Sequence, residues 1–231
     1  MIGGKKMTDY ESYIKEREIT RLCHFTKSKN LPYILGSNGK LLANNFIANE
    51  NLEKNDKLRL DGKEDYICCS VQYPNLFYLD RVITYNNMDL FKDWSILLIS
   101  PNIINDQTLF CPCNAATDGG IMIGEGIASF QELYSEKLQI KRTITRGKNM
   151  LISSPTDNQA EVLIKHSIVK ESIQGIVFRS EDRARIELIN LSLSQCDVSN
   201  IEIIICPEMY EKNLAYKLQN SVIPNETIYQ R

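Results

Sequence analysis

The chain has 231 residues, of which 43% are hydrophobic and 24% charged, and it carries a formal net charge of −2. That balance suits a globular protein with a sizeable core. It excludes intrinsic disorder, and it excludes a general polyanion binder, which is usually basic overall.

The first predicted element is a short charge-rich helix over Tyr10–Arg17, feeding a strand through Thr20-Arg21-Leu22-Cys23-His24-Phe25. Thr26-Lys27-Ser28 offers hydroxyl caps for a helix from Ser28 to Leu35, and Gly36 and Gly39 are placed to stop it. Asn44 to Glu64 is rich in Asn, Asp, Lys and Glu without apolar periodicity, which predicts a long irregular connection. Tyr66–Val71 reads as a buried strand, Pro74 opens a helix to Ile83, and Trp94–Ile99 is the clearest strand, closed by Pro101. A short strand at Leu109–Cys111 precedes Asn114-Ala115-Ala116 and a glycine-rich stretch, and Ile127–Tyr134 has helical spacing. After a basic segment come strands at Ala160–Ile164, Gly175–Phe178 and Ile201–Cys206. A polar helix at Ser180–Ile189 separates the last two, and Glu208–Leu218 forms a terminal helix. The irregular mixture, without strict βαβ alternation, predicts an α+β architecture. No composition shift marks a boundary, so residues 1–231 are expected to form one domain.

No stretch approaches the roughly 20 apolar residues of a bilayer span, and Met1-Ile2-Gly3-Gly4-Lys5-Lys6 lacks the apolar region of a signal peptide. A cytoplasmic location without a membrane partner is the expectation. The seven cysteines form an odd set without CxxC pairs, which fits reduced thiols. Cys111-x-Cys113 lacks a second pair and both histidines are remote in sequence, so no metal is expected. Gly124-x-Gly126 lacks the third glycine and the downstream acid of a dinucleotide-binding fingerprint. A nucleophile elbow, a phosphate-binding loop and a zinc-protease helix are all missing from the sequence.

Two features carry chemistry. Glu161, in Asn158-Gln159-Ala160-Glu161-Val162-Leu163-Ile164, stands where an apolar strand leaves a polar loop. A carboxylate there is either a solvated edge residue or a base whose pKa is raised by partial burial, and the residues alone leave both open. Ser135–Met150 carries Lys137, Lys141, Arg142, Arg146 and Lys148 against the single acid Glu136, either a solvated surface or a local track for phosphates.

Cys23-His24-Phe25-Thr26, Asn30-Leu31-Pro32-Tyr33-Ile34-Leu35, Asn114-Ala115-Ala116 and Gln159-Ala160-Glu161-Val162-Leu163-Ile164 with Ile173-x-Gly175-Ile176 occur in an order that resembles the DarT family of DNA ADP-ribosyltransferase toxins. The likeness runs from Thr20 to Pro207. It implies an ADP-ribosyltransferase-like α+β fold, with a split, mixed and mostly antiparallel central sheet flanked by helices. It also implies an enzyme that uses NAD as co-substrate to modify a base in single-stranded DNA, with an antitoxin protein as a partner. His24 and Thr26 would bind the adenosine-side ribose and nicotinamide portions of NAD, Asn30 would shape the same pocket, and Glu161 would be the catalytic carboxylate. Arg59 is the best match to the family's arginine, a two-pronged clamp on the pyrophosphate, with Arg81 as the fallback. Tyr78 is either a nicotinamide-stacking ring or a core tyrosine. Lys141, Arg142, Arg146 and Lys148 would contact the nucleic acid. The competing readings are the same NAD chemistry on RNA or protein, removal of an RNA 2′-phosphate, and a non-catalytic nucleic-acid-binding module.

Overall fold

The structure, a computed structural model, describes residues 7–48, 59–85 and 90–230. In chain order these form α1 (Asp9–Glu16), β1 (Leu22–Lys27), α2 (Leu31–Leu35), β2 (Lys40–Leu42), β3 (Tyr66–Val71), α3 (Leu76–Tyr85) and β4 (Trp94–Ile99). Next come β5 (Leu109–Cys111), β6 (Gly124–Glu125), α4 (Gly126–Glu132), β7 (Lys137–Gln139), β8 (Thr143–Thr145), β9 (Glu161–Lys165) and β10 (Ser167–Val169). The chain ends with β11 (Ile173–Phe178), α5 (Glu181–Leu193), β12 (Glu202–Ile205), α6 (Leu214–Gln219) and β13 (Thr227–Ile228).

Nine strands make the main sheet in the order β13-β12-β11-β4-β1-β3-β9-β5-β6. Only β11 and β12 pair in parallel, and α5 supplies their crossover. All other neighbours are antiparallel. The mixed, mostly antiparallel α+β expectation therefore holds.

β4 shows why the centre is stable. All six of its residues are buried, and strand alternation sends Trp94, Ile96 and Leu98 to one face and Leu97 and Ile99 to the other. On the second face α1 packs Tyr10 and Tyr13 against Phe110 and Phe130, with Tyr13 edge-on to Phe130 at 5.1 Å. Its entry is fixed by a capping box: the Glu11 N–H donates to Thr8 Oγ1 (3.1 Å) and the Thr8 N–H to Glu11 Oε2 (2.7 Å).

The sequence reading differs from the structure in instructive places. The helix expected at Ser28–Leu35 is a 3-10 turn at Ser28–Asn30 followed by α2, and no hydroxyl caps either piece. Ser28 instead shares a 2.7 Å hydrogen bond with Ser95 across to β4. The terminal helix expected at Glu208–Leu218 divides into a 3-10 turn at Pro207–Tyr210 and α6. Met209 and Tyr210 are drawn into the core, where the Tyr210 hydroxyl donates to the Val177 carbonyl at 2.8 Å. Of the irregular connection expected at Asn44–Glu64, residues 49–58 lie outside those described, and the described part holds only a 3-10 turn at Asn44–Phe46. No helix among the described residues is long and apolar enough to cross a membrane.

Candidate active site

Strands β1, β2 and β3, the start of β9, the loop that follows β5 and one side of α3 line a cleft of about 780 Å³. Strand register explains what collects there. Glu161 opens β9 and sits opposite Ser70 on β3 and Cys111 on β5, so its carboxylate is held between two neighbours rather than at a free edge. It is 8% exposed. The Asn114 side-chain amide and the Ala115 N–H both donate to Glu161 Oε1, at 2.9 and 3.3 Å. Asn114 is itself fixed, because its Oδ1 accepts from the Ala116 N–H at 3.1 Å. One carboxylate oxygen is thereby committed to the wall.

Burial pushes the Glu161 carboxyl up to about 7, helped by the negative charge of Asp61. The Cys68 thiol, the Ala115 N–H and the Arg59 cation oppose the shift without cancelling it. This is the environment in which a carboxylate takes up and gives up a proton near neutral pH.

His24 lies on β1, two strands from Glu161. Its Nδ1 is 2.9 Å from the Cys68 carbonyl. A carbonyl only accepts, so Nδ1 carries the proton and Nε2 is left as an acceptor. Burial, aided by the Arg59 charge, lowers the imidazole to about 4, which keeps it neutral. Thr26 and Asn30 are buried on the same wall, with Asn30 Nδ2 donating to Thr26 Oγ1 at 3.0 Å. Tyr78, half-buried on α3, also lines the cleft and packs at a tilt on Phe25, with centroids 5.7 Å apart. His24, Thr26, Asn30, Arg59, Tyr78 and Glu161 thus converge from separate parts of the chain.

Arg59 reaches the cleft differently from the expectation. Its guanidinium is buried and two-pronged on Asp61, at 3.0 and 2.7 Å, and it also donates to the Tyr66 carbonyl. The edge that was to clamp a pyrophosphate is occupied by a carboxylate of the same loop. What Arg59 supplies here is a fixed positive charge acting on both Glu161 and His24. Its backbone is left-handed, with φ of 39°, a conformation that costs a non-glycine residue roughly 1 kcal/mol or more. Arg81, the fallback, is exposed on α3 along the cleft.

The basic segment is the β7–β8 hairpin. Lys141, at its tip, pairs with Asp118 at 2.9 Å, which ties the hairpin to the loop that leaves Asn114. Arg142 and Lys148 are exposed. Arg146 turns inward instead, donating to the carbonyls of Ser154 and Leu151 at 2.8 Å each and lying over the Tyr134 ring. It is a loop anchor rather than a free surface cation. Sequence reasoning picked no role for Asn114, Asp61 or Cys68. Asn114 belonged to a quoted motif, but its contact with Glu161 depends on β5–β9 pairing that no local spacing reveals. Cys111 and Cys113 are buried with their thiols 3.9 Å apart, and no group of three or more metal-binding side chains occurs among the described residues.

Comparison with known proteins adds a family and a fold. A family profile described as "ssDNA thymidine ADP-ribosyltransferase, DarT" matches residues 23–211. No curated protein matches the chain by sequence. Among solved structures, DarT of Thermus sp. 2.9 in complex with NAD+ superposes with a TM-score of 0.59 at 17% identity, covering 84% of this chain and 98% of that one. The same protein in complex with ADP-ribosylated ssDNA gives a TM-score of 0.57 at 14% identity, covering 84% and 97%. Thermosipho africanus DarTG in complex with ADP-ribose gives 0.55 at 14% identity, covering 83% of this chain and 51% of that one.

Proposed function

The chain belongs to the DarT family of single-stranded-DNA thymidine ADP-ribosyltransferases, and from that premise we propose that its cleft binds NAD and transfers the ADP-ribose to a thymine ring, with Glu161 as catalytic base. The observation that carries this assignment is the buried carboxylate, raised to about 7, facing a cleft that also holds a neutral histidine and a fixed arginine charge.

The steps follow from those groups. Breaking the bond between the ribose carbon and the nicotinamide nitrogen sends the electron pair to the pyridinium, so nicotinamide leaves neutral and positive charge builds on the ribose, as in glycoside cleavage. The Glu161 carboxylate stabilises that charge. In thymidine the only ring N–H is at N3, because N1 carries the sugar. That nitrogen attacks the ribose carbon as its proton passes to Glu161, forming the new C–N bond with charge and atoms balanced. His24, with its Nε2 acceptor, receives a ribose hydroxyl, while Thr26, Asn30 and Tyr78 shape the dinucleotide wall. Arg59 biases Glu161 toward its ionised form rather than clamping the pyrophosphate. Arg142 on the hairpin and Lys148 in the turn after it, with Lys141 where its Asp118 pairing yields, attract the phosphates of the acceptor strand. Family membership also implies an antitoxin protein as partner.

The test is to incubate the protein with NAD and single-stranded DNA oligonucleotides with or without thymidine, alongside RNA of matching sequence, and weigh the products. A mass gain of one ADP-ribose confined to thymidine-containing DNA is expected, and Glu161→Ala lowers it by about 10³-fold or more while NAD still binds. Equal labelling of thymidine-free strands, or normal turnover by Glu161→Ala, would overturn the assignment.

A further inference from the structure

The outer face of α3 is built from an unusual choice of residues. Leu76 and Leu79 point into the core, while Phe77 is 57% and Tyr85 76% exposed. Arg81 lies between them in sequence and is also exposed. Residues 77, 81 and 85 are four apart, so they form one stripe, with successive side chains about 6 Å apart along the axis. The stripe is already partly stacked, since the Arg81 guanidinium stands 5.7 Å from the Tyr85 ring centre. All three side chains line the cleft that contains Glu161, so the stripe is continuous with the site.

Large aromatic rings left in water on a surface helix oppose the hydrophobic effect and mark an interaction surface. Alternating aromatic and guanidinium planes match the flat faces of nucleobases, which stack on such groups regardless of base identity. The local charge agrees: the only acid in α3, Asp80, is paired with Lys212 at 3.3 Å, leaving Arg81 as the cation that faces the cleft from this helix. A reacting base must leave the strand's stack to enter a deep pocket, and its unpaired neighbours then need a surface.

We propose that the Phe77–Arg81–Tyr85 stripe is a base-stacking platform for the nucleotides adjoining the base that enters the cleft. The inference rests on the single-stranded-DNA reading above and adds where the flanking strand lies. It differs from a nicotinamide-stacking role for Tyr78, which belongs to the neighbouring stripe and packs on Phe25.

The experiment measures two affinities for each protein: that of a fluorescein-labelled 12-nucleotide single-stranded DNA by anisotropy, and that of NAD by calorimetry, both in a Glu161→Gln background. Stacking on one ring is worth roughly 5- to 150-fold in affinity. Phe77→Ala/Tyr85→Ala is therefore expected to weaken DNA binding at least tenfold more than it weakens NAD binding, and Phe77→Tyr/Tyr85→Phe to restore it. Equal losses for both ligands would assign the stripe to the dinucleotide and overturn the platform, as would unchanged DNA affinity. Failure of the aromatic exchange to restore binding would likewise reject stacking. If the unmutated enzyme binds DNA through the stripe but transfers nothing to it, the transfer reading fails and the platform stands.

Discussion

Replacing Glu161 by Gln should make the protein more stable above neutral pH and leave it unchanged in acid, even though it abolishes catalysis. Glu161 is buried, and its carboxyl is raised from an ordinary 4.5 to about 7. Between those values the folded protein holds a proton that the unfolded chain has lost. Stability therefore falls as pH rises through that window and levels off above it. A shift of this size corresponds to about 3 kcal/mol at the plateau, at roughly 1.4 kcal/mol per pH unit. Glutamine has nearly the same shape, never ionises, and its side-chain oxygen accepts the same two donors from Asn114 and Ala115.

The two proteins should then unfold alike near pH 4.5, diverge through pH 6, and differ by about 1–3 kcal/mol at pH 8 in favour of the glutamine form. For a chain of this length that is roughly 2–12 °C in Tm. Urea unfolding at three pH values, followed by circular dichroism, measures it directly. A glutamine variant less stable at pH 8, or a difference that does not vary with pH, would refute the claim that burial is what raises the carboxyl.

The same carboxyl sets the pH dependence of transfer: kcat/KM should rise about tenfold per unit below pH 7 and flatten above it, and Asp61→Asn, by removing a negative neighbour, should move the inflection to lower pH. A profile flat from pH 5.5 to 8.5 would exclude Glu161 as the titrating base. Asn114→Ala removes a 2.9 Å donor to Oε1, which is expected to cost about 10- to 100-fold in transfer at pH 7 and to be partly recovered at pH 8.5, where the carboxyl ionises regardless. Arg142→Glu/Lys148→Glu should flatten the salt dependence of DNA binding by a slope of about 1.4, whereas Arg146→Ala should lower Tm and leave that slope alone; the reverse pattern would restore Arg146 to the DNA-binding set. Gly120→Ala places a methyl 2.8 Å from the Asp61 carbonyl at a backbone φ of +86°, so it should destabilise the loop by about 1–3 kcal/mol and lower NAD affinity, measured by calorimetry alongside urea unfolding.

The residues spoke most clearly where periodicity was long. β4, with six consecutive buried residues, was readable because a strand covered on both faces is a nearly continuous apolar run, and β1 and β3 were readable from their shorter apolar stretches. β2 and β10, three residues each, and the two-residue β6 and β13 were not, since alternation has no meaning over so short a run. The break between Tyr210 and Leu214 was hidden for another reason: a helical apolar spacing persists there, and only the tertiary pull on Met209 and Tyr210 interrupts it. At the site, Glu161 and His24 were visible through their motifs. Arg59 was legible as a residue, but not its two-pronged bond to Asp61, which is a property of the folded loop. Arg146 was misread for the converse reason, as a charge run in sequence does not reveal which cation turns back onto carbonyls.

The position of Glu161 on the pH scale is the outcome of a contest, and the contest gives a role to the buried ion pair beside it. Burial and the Asp61 charge push the carboxyl up, the Cys68 thiol, the Ala115 N–H and the Arg59 charge push it down, and the balance falls at about 7. A base near 7 needs both sets together. Arg59 can oppose burial only if it is buried as well, and a buried guanidinium requires Asp61, whose own charge then pushes Glu161 back up. The left-handed backbone at Arg59 and the close approach of Gly120 to Asp61 accompany that ion pair beside the carboxylate. A sheet end lined by aliphatic side chains would be the more stable structure, and it would have no proton acceptor at the bottom of the cleft.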